Sequence, residues 1–536
     1  MELIDNIKLK KLRGGFYTPP SIALFILNWG TTGNIKPKIL EPSCGDGVFL
    51  KQVKENKFDY KSIVAIEIDS EEASKANLIK LDRCIVIEDD FHHYCNVTNE
   101  KFDLIVGNPP YIRYQSFNKE QRKQAEKIFS SVNLKYSKLT NAWVSFVIGA
   151  SLLLKEEGKI GFVVPAELLQ VSYAQQLRQY LARFYNKINI ISFKHLVFKE
   201  VQQEVVLLLC EKSKCNEHYI EHIEIKDERE LSKFDVSRLR FSSKKIDFNS
   251  NKWTYYFLEQ AEISFLNSIA KRFKIKPLSS YAKVEVGITT GANNYFVIPK
   301  SIVDKYKLHN YVKPLVGRSF HVNSLIFTKD DWIENQRMDA RANLLIFSKE
   351  KSIKKDKGAF KYIQHGELIE VNKRYKTSIR DDWYIIPSVR ISDALFTRRS
   401  SIHPRLILNE ANAYTVDNFH RIDIKENINK NAFIASYYNS LSFAFSEIVG
   451  RSYGGGVLEL LPSEVENILL PYKEEYNLLL SQIDSMMRSK KNIDEILYFT
   501  DNIILRNGLN MNDKEICMAN NIWKKLSNRR NNRSIK

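Results

Sequence analysis

Short apolar runs alternate with segments of helical periodicity from about residue 21 to residue 195. Runs of this kind, rich in β-branched and aromatic residues, predict strands, and the segments between them predict helical connections. Strands that alternate with helices indicate an α/β domain with a largely parallel sheet. The predicted strands cover residues 39–40, 63–68, 85–88, 102–106, 159–164, 188–193 and 205–210.

Helices are predicted at residues 48–54, after a glycine turn, and at residues 141–155, where the apolar positions form one stripe. Gly158 lies just beyond the second helix, where a glycine commonly ends a helix. His92 and His93 are expected on a strand. Because adjacent strand residues point to opposite faces, we expect no metal site there.

The pattern changes from about Trp253, where short β-type runs, aromatics and scattered basic residues replace the helical alternation. The polar stretch between Lys226 and Lys252 predicts a domain boundary. Residues from about Glu474 onward are again helical in pattern and end in a basic tail. We therefore expect an α/β domain at residues 1–245, a mixed α+β domain at 253–473 and a helical segment at 474–536.

The chain of 536 residues is basic, with 81 Lys and Arg against 63 Asp and Glu and a formal net charge of +18. This balance favours a polyanionic partner, of which nucleic acid is the commonest. The six cysteines form no C-x-x-C pair, so a zinc ribbon or redox dithiol has no support. The N-terminus lacks signal-peptide features and the most apolar stretch, residues 144–154, is too short to span a bilayer, so we expect a cytoplasmic protein without membrane contact.

The first predicted strand leads into an acidic residue, Glu41, then a Gly-x-Gly turn and a helix. Glycines at positions 45 and 47 let the backbone approach a ligand closely, because no Cβ blocks the turn. The chain has neither a phosphate-binding loop nor, with Leu50 after the turn, the full dinucleotide fingerprint. The pattern favours a smaller nucleoside ligand outside the carboxyl end of the strand.

Carboxylates also follow the next two predicted strands. Glu67 ends the second strand, where a carboxylate can accept hydrogen bonds from two ribose hydroxyls. Asp90 follows the third strand, in place to contact an adenine amino group, with Phe91 beside it to pack on the ring. Three acidic residues at the ends of successive strands predict one nucleoside site.

The fourth predicted strand ends at the segment Asn108, Pro109, Pro110 and Tyr111. The two prolines stop the strand and fix its backbone. The Asn108 side-chain oxygen and the Pro109 carbonyl can then accept from one exocyclic amine and stabilise the positive charge that develops on it. Tyr111 can stack on the base. The segment predicts an acceptor site for an amino or amide nitrogen at the same sheet edge.

These motifs, in this order, resemble the γ-class DNA adenine-N6 methyltransferases of restriction-modification systems. The resemblance rests on residues 16–20 (FYTPP), 41–47, 67, 90–91, 108–111 (NPPY) and 161–165. It extends more loosely to residues 284–298 and 450–456, which look like that family's target-recognition region. The resemblance implies a Rossmann-like S-adenosylmethionine-dependent methyltransferase domain with a mixed, mostly parallel sheet, followed by a mixed α+β target-recognition domain.

The resemblance also implies residue roles. It implies that the cofactor S-adenosylmethionine is bound by Thr18, Glu41, Ser43, Gly45, Gly47, Glu67, Ile68, Asp90 and Phe91. Thr18 would hold the methionine part, Glu67 the ribose, and Asp90 with Phe91 the adenine. The target amine and base would meet Asn108, Pro109, Pro110, Tyr111 and Phe198. In the basic second half, contacts to DNA are expected from Asn293, Asn294, Arg318, Arg398, Arg399 and Arg451.

The implied reaction is site-specific methylation of N6 of a flipped adenine in double-stranded DNA (EC 2.1.1.72), with S-adenosylhomocysteine as product and no metal. Whether the enzyme works alone or with a separate cognate restriction endonuclease stays open. So do three other activities: methylation of a protein glutamine, methylation of RNA adenine, and a nuclease fused to a methyltransferase. The long basic second half argues against the glutamine methyltransferases. A non-catalytic DNA-binding module would not need both a cofactor turn and an amine acceptor.

Overall fold

The structure is a computed structural model that describes residues 17–532, apart from 34–35, 138–139, 196, 198–203, 237–238, 240–243, 250–251, 349–352 and 454. By its internal contacts the chain divides into two compact units, one up to Ile263 and one from Ser264 onward. The division into three parts expected from the sequence stays a prediction.

A nine-stranded sheet forms the centre of the first unit. Its strands are β1 (Lys38–Glu41), β2 (Ser62–Glu67), β3 (Cys84–Glu88), β4 (Phe102–Gly107), β5 (Leu154–Pro165), β6 (Lys187–Phe193), β7 (Val205–Glu211), β8 (Tyr219–Ile225) and β9 (Lys244–Lys245). Its helices are α1 (Pro20–Thr31), α2 (Val48–Glu55), α3 (Ser70–Asn77), α4 (Phe91–Val97), α5 (Lys119–Ser131), α6 (Ala142–Leu152), α7 (Gln175–Phe184) and α8 (Glu228–Lys233), followed by α9 (Gln260–Arg272), which crosses the unit boundary.

The strand order is β3-β2-β1-β4-β5-β7-β6-β8-β9. Strands β1 to β5 pair in parallel, whereas β7 lies antiparallel between β5 and β6. Helices cover both faces, so neighbouring strand residues such as Ile39 and Leu40 are buried in opposite cores. Burial on both faces explains why the central strands are continuous apolar runs in the sequence. The expected α/β class with a mixed, mostly parallel sheet is confirmed.

The helix expected at residues 141–155 is too long, and the placement of Gly158 after it is wrong. Helix α6 ends at Leu152, and Gly158 lies inside β5. Lys155 is held to β4 by an ion pair with Asp103 at 2.9 Å, and the pairing register shifts between Phe102 and Leu104. A Cβ at Gly158 would lie 2.7 Å from the Leu154 side chain, so a glycine is needed within this irregular strand.

The strand expected at His92 and His93 is a helix, α4. Asp90 is its N-cap, because its carboxylate accepts a hydrogen bond from the backbone N–H of His92 at 2.9 Å. Capping of this kind starts a helix directly after a strand. The argument that placed these histidines on opposite faces of a strand therefore does not apply.

Four smaller sheets and a helical end form the second unit. The strands are β10 (Lys276–Pro277), β11 (Ala282–Val286), β12 (Val297–Ile298), β13 (Val312–Val316), β14 (Ile326–Phe327), β15 (Asn343–Leu345), β16 (Ala394–Thr397), β17 (Arg399–Ser400), β18 (Leu406–Asn409), β19 (Tyr414–Thr415), β20 (Phe419–Ile424), β21 (Arg451–Tyr453), β22 (Val457–Glu459) and β23 (Leu469–Leu470). They form sheets β11-β20-β16-β18-β14, β12-β15-β13-β19, β17-β22-β21 and β10-β23.

Helices lie between these strands and after them. They are α10 (Asn293–Phe296), α11 (Lys300–Tyr306), α12 (Lys329–Arg337), α13 (Lys357–Leu368), α14 (Tyr375–Ser378), α15 (Lys430–Tyr437), α16 (Ser440–Val449), α17 (Pro462–Glu466), α18 (Leu479–Arg488), α19 (Ile493–Asp501) and α20 (Asp513–Asn531). Helix α20 packs on α16, where Arg530 and Glu447 form a buried ion pair at 2.8 Å. Within the parts of the chain that the structure describes, no helix has the length and apolar composition needed to cross a bilayer.

Candidate active site

The carboxyl ends of four neighbouring parallel strands meet at one edge of the nine-stranded sheet. In the spatial order β3, β2, β1 and β4, these strands end at Glu88, Glu67, Glu41 and Gly107. Ligands of open α/β sheets bind outside this edge, where the strand order reverses. The acidic residues and the amine-acceptor segment therefore start from one edge, as their sequence positions suggested.

The two glycines of the turn after β1 have different roles. Gly47 begins α2 with φ +83°, and a Cβ there would lie 2.4 Å from Cδ1 of Ile79, so packing demands glycine. Gly45 also has a positive φ, +52°, yet nothing lies within 4 Å of the position of its missing Cβ. Packing therefore explains Gly47, whereas Gly45 borders open space that a ligand can enter.

Glu67 links the end of β2 to this turn. Its Oε2 accepts from the Gly45 N–H at 2.8 Å, and its Oε1 accepts from the Asp69 N–H at 3.0 Å. Burial raises the pKa of Glu67, although the hydrogen bonds from Asp69 and Gly45 favour its charged form. Ile68 follows with 58% of its side chain exposed, an unusual apolar surface beside a carboxylate. Glu67 offers hydrogen-bond acceptors, and Ile68 offers an apolar surface, to the same ligand.

Glu41 is a buried acid with an unused oxygen. It is 2% exposed, and its Oε2 has no hydrogen-bond partner in the structure. Burial, and then the charges of Glu67 and Asp46, raise the pKa of Glu41 well above its usual range. An orphaned buried carboxyl of this kind is costly unless a donor or cation binds it. The chemistry of the turn therefore suits a ligand that carries a positive charge.

Asp90 is the N-cap of α4 and Phe91 is its first residue, and contact of the Phe91 ring with the cofactor's adenine stays a prediction. The ring is 2% exposed and packs in the core against Phe146, with 4.9 Å between ring centroids. Phe91 packs in the same core cluster as residues of β1, β2 and β4. Its backbone N–H, in the first turn of the helix, has no intrahelical acceptor.

Ser43 is part of the turn after β1, and Thr18 precedes a helix that packs on the helix after that turn. Thr18 is buried directly before the N-cap of α1, a helix that packs on α2. Phe16, from the same motif, lies outside the described residues. Ser43 Oγ donates to the main-chain carbonyl of Asn108 at 3.3 Å. This hydrogen bond joins the turn after β1 to the segment after β4.

The segment after β4 carries a contact that the sequence did not indicate. The Tyr111 hydroxyl lies 2.9 Å from Asn108 Oδ1 and 3.2 Å from the Val163 carbonyl of β5. Burial raises the pKa of Tyr111 well above its usual range, so the hydroxyl remains a donor. Tyr111 thereby orients the Asn108 carboxamide. Stacking of its ring on a target base, and the roles of Pro109 and Pro110, stay predictions.

Phe198 lies outside the described residues. Strand β6 runs parallel to β5, because both are antiparallel to β7. Strand β6 therefore ends, and β7 begins, at the sheet edge where β1 to β4 end, and Val205 of β7 pairs there with Pro165 of β5. A role for Phe198 in this site stays a prediction.

Three arginines expected to contact DNA are held by carboxylates. Arg398 and Arg399 both donate to Glu459 Oε1, at 3.0 Å from each Nε. Arg451 donates to Glu464 at 2.8 Å and is largely buried. Of these three side chains, that of Arg399 is the most exposed. The ion pairs explain Arg398 and Arg451 as structural residues without DNA.

The other three candidates for DNA contact also differ in how accessible their side chains are. The Asn293 amide donates to Asp417 at 3.0 Å and accepts from a neighbouring threonine, so both of its ends are used. Asn294 accepts from a neighbouring arginine. Arg318 is exposed and lies over the exposed Phe320 ring, 5.7 Å from its centroid. Arg318 is therefore the candidate with the most accessible side chain.

The second unit has a basic, exposed turn that was not among the predicted DNA contacts. It comprises residues 373–380 (KRYKTSIR), in which Tyr375 has 81% of its side chain exposed and Ile379 is also exposed. Thr377 is buried beneath it, and Arg380 donates to the Thr290 carbonyl at 2.7 Å. The turn is thus anchored while its aromatic and basic side chains face solvent. Alternation of Lys or Arg with an aromatic residue was the signal in the sequence.

Two family models match the chain over neighbouring ranges. That of the Eco57I restriction-modification methylase matches residues 29–198, which hold the glycine turn and the NPPY segment. That of the C-terminal domain of the type II methyltransferase M.Eco57I matches residues 250–505.

Curated relatives resemble the chain over most of its length. It is 25% identical over 527 residues to the type II methyltransferase M.AccI of Acinetobacter calcoaceticus, covering 93% of this chain and 94% of that one. It is 22% identical over 478 residues to M.XamI of Xanthomonas campestris pv. amaranthicola, covering 86% and 85%. It is 26% identical over 334 residues to M.HindII of Haemophilus influenzae, covering 59% and 60%. With the glycine turn and the amine-acceptor segment at one sheet edge, these matches show a DNA methyltransferase of the restriction-modification type, similar in sequence to the Eco57I methylases.

Proposed function

We propose that this enzyme transfers a methyl group from S-adenosylmethionine to N6 of a flipped adenine in double-stranded DNA. One observation carries the proposal: Ser43 of the nucleoside-type turn donates a hydrogen bond to the carbonyl of Asn108 in the amine-acceptor segment. A donor ligand and an acceptor amine bound at these two segments would be neighbours. Such proximity supplies much of the catalysis in a direct group transfer.

The residues around the turn fit S-adenosylmethionine, which when bound supplies an electrophilic methyl group on a positively charged sulfur. Gly45 borders open space, and Glu41 has a buried oxygen in need of a donor. Glu67 and Ile68 provide ribose acceptors and an apolar surface, and Asp90 provides an acceptor for the adenine amine. Glu41 would bind the cationic amino-acid end, because no other charge balances it there.

The segment after β4 fits an aromatic amine as acceptor. Asn108 Oδ1 and the Pro109 carbonyl would accept the two amine protons and favour the positive charge that develops as the nitrogen forms its new bond to carbon. An adenine inside a duplex cannot reach a sheet edge, so it has to flip out of the stack. The ring of Tyr111, and that of Phe198 in the β6–β7 connection, would hold it by stacking.

The proposal is tested with the purified chain, S-adenosylmethionine and mixed-sequence duplex DNA, followed by mass spectrometry of the digested nucleosides. We expect N6-methyladenine in the DNA. The appearance of N4-methylcytosine alone would contradict the choice of base. Methylation of RNA or of a protein glutamine, with DNA unmodified, would contradict the choice of substrate. Methylation-sensitive sequencing of a host that expresses the chain would then give the recognition sequence.

Replacing Tyr111 with phenylalanine separates the observed hydroxyl contact from the expected stacking. Tyr111→Phe keeps the ring, so we expect its methylation rate to stay within about fivefold of wild type, since one neutral hydrogen bond contributes only about 1 kcal/mol. Tyr111→Ala also loses stacking, about 1–3 kcal/mol, and should be at least about tenfold slower. Single-turnover rates on a methylatable duplex measure both. Equal losses in the two variants would mean that the hydroxyl matters and the ring does not.

For DNA contact we propose the exposed turn at residues 373–380 together with Arg318. Its basic side chains suit phosphates, and an exposed aromatic side chain suits a base step or an unstacked base. Charge complementarity with duplex DNA is the argument, since the chain carries a net charge of +18. The sequencing experiment would identify the recognition bases. A separate cognate endonuclease stays a prediction.

Substitutions in this turn should weaken DNA binding in two distinguishable ways. Arg374→Ala and Lys376→Ala should each lower the slope of log affinity against log salt by about one, because each removes one phosphate contact. Tyr375→Ala should lower affinity about tenfold at constant slope, through lost stacking. Fluorescence anisotropy with duplex DNA at several salt concentrations measures both. Tyr498→Ala, at an equally exposed tyrosine of α19, is the matched control, and a loss there as large as at Tyr375 would contradict the assignment.

A further inference from the structure

A buried chain of hydrogen bonds lies behind Asp90, and no step described so far uses it. His92 Nδ1 lies 3.0 Å from Asp90 Oδ1, and His92 Nε2 lies 2.7 Å from Ser145 Oγ. Ser145 Oγ lies 2.8 Å from the Ala142 carbonyl as well, so its one proton is shared between the carbonyl and His92 Nε2. The line Asp90–His92–Ser145 thus runs from the site edge to the backbone of α6.

The imidazole of His92 is fixed on all sides. It is 2% exposed, with the Phe146 ring 4.9 Å away and the Phe117 ring 5.7 Å away, both edge-on. Aromatic walls and a hydrogen bond at each ring nitrogen leave the imidazole one orientation. Both ring nitrogens therefore have the polar partners that a buried imidazole requires.

The proton arrangement follows from the partners. Hydrogen bonding and charge from His92 outweigh the effect of burial and lower the pKa of Asp90, so its carboxylate is ionised and can only accept. The proton between His92 and Asp90 therefore lies on Nδ1. Asp90 Oδ1 receives two hydrogen bonds from one residue, the ring N–H and the backbone N–H of His92 at 2.9 Å.

Hydrogen bonds thereby fix Oδ1 of the Asp90 carboxylate, whereas Oδ2 can accept a hydrogen bond from a ligand. Among the described residues, no hydrogen bond reaches Asp90 Oδ2, and the side chain is partly exposed at the site edge. The adjacent His93 shows the contrast, because it makes a similar ion pair with Asp89 at 2.8 Å on the protein surface. The two histidines follow each other in the chain, yet only one supports a site residue.

We propose that His92 is a positioning residue, which with Ser145 behind it fixes the Asp90 carboxylate so that Oδ2 accepts the 6-amino group of the cofactor's adenine. The inference rests on the proposed function, since it presumes that S-adenosylmethionine binds at this edge. It adds that recognition of the cofactor base depends on a residue that never touches the cofactor. His92, which as a pair with His93 suggested a metal site, acts through Asp90.

The test compares two ligands by titration calorimetry: S-adenosylhomocysteine and its analogue with hydrogen in place of the 6-amino group. The wild type should bind S-adenosylhomocysteine at least about tenfold more tightly, as expected for a hydrogen bond to a charged group. His92→Phe, which fits the aromatic surroundings but lacks both nitrogens, should reduce this preference to less than about threefold, with affinity for the analogue unchanged. His92→Asn, whose amide can replace Nδ1 as donor, should restore part of the preference.

Several outcomes would overturn the inference, and they differ from failure of the proposed function. His93→Phe, the matched control, should keep the wild-type preference. If His92→Phe keeps it too, or loses affinity for both ligands equally, His92 is a structural residue. If His92→Phe does not fold, Ser145→Ala takes its place and should weaken the preference in the same direction. If the wild type binds neither ligand, it is the proposed function that fails.

Discussion

Asn108→Ala is expected to slow methylation of duplex DNA by at least about 100-fold and to leave the affinity for S-adenosylhomocysteine unchanged. The side chain lies on the acceptor side of the site, where its oxygen would stabilise charge that exists only in the transition state. Removal of one such preorganised group typically lowers rates by about 100-fold to 1,000-fold. The Ser43 hydrogen bond goes to the main-chain carbonyl of Asn108, so it survives the substitution.

Single-turnover rates on duplex DNA and calorimetry with S-adenosylhomocysteine measure the two halves of this prediction. Asn77→Ala, at an exposed position near the end of α3, is the matched control and should behave as wild type. An Asn108→Ala enzyme that keeps a rate within about threefold of wild type would rule out the side-chain acceptor, because about 0.7 kcal/mol is too little for such a contact.

Glu67→Gln is expected to lower the affinity for S-adenosylhomocysteine by at least about 100-fold. Two hydrogen bonds from ribose hydroxyls to a carboxylate contribute about 1.5–3 kcal/mol each. Glutamine keeps one accepting oxygen and no charge, so one of these bonds is lost and the other is weakened. The same carboxylate also accepts from the N–H groups of Gly45 and Asp69, so the substitution loosens the turn as well. Both effects act on the ground state, and we expect the dissociation constant to change far more than the rate at saturation.

Calorimetry gives the dissociation constant, and saturating cofactor in the rate assay separates binding from turnover. Glu88→Gln is the matched control, because Glu88 pairs with Glu67 across β2 and β3 but is exposed. Thermal unfolding of both variants checks that the sheet is intact. Unchanged affinity in Glu67→Gln would remove the ribose assignment from Glu67 and leave it the role of holding Gly45.

The sequence predicted the site edge because the relevant signals are local. Glu41 and Glu67 each end a strand with a clear apolar run, Asn108 directly follows another, and parallel strands bring such ends together. Asp90 follows β3 for the same reason. The burial of Phe91 could not be predicted, because Asp90 also caps a helix and the first residue of that helix lies in the core.

Contacts between segments far apart in the chain could not be predicted from the sequence. The bond between Tyr111 and Val163 and that between His92 and Ser145 join residues 52 and 53 positions apart. In the second unit, Arg398 and Arg451 pair with glutamates 61 and 13 positions away, which the sequence did not indicate, and their contact with DNA stays a prediction. The exposed turn at residues 373–380 was not predicted. Its outer side chains face solvent only because Thr377 is buried beneath them, and the sequence does not show that burial.

The antiparallel strand β7 also has a consequence for the order of folding during synthesis. Strand β7 fills the gap between β5 and β6, although β6 precedes it in the chain. Until residues as far as Glu211 have left the ribosome, β5 presents the unpaired edge of an apolar sheet, and β6 has no neighbour to join it. The nascent chain therefore passes through a stage with two open strand edges, in which it is most prone to aggregate. Insertion of β7 closes both edges at once.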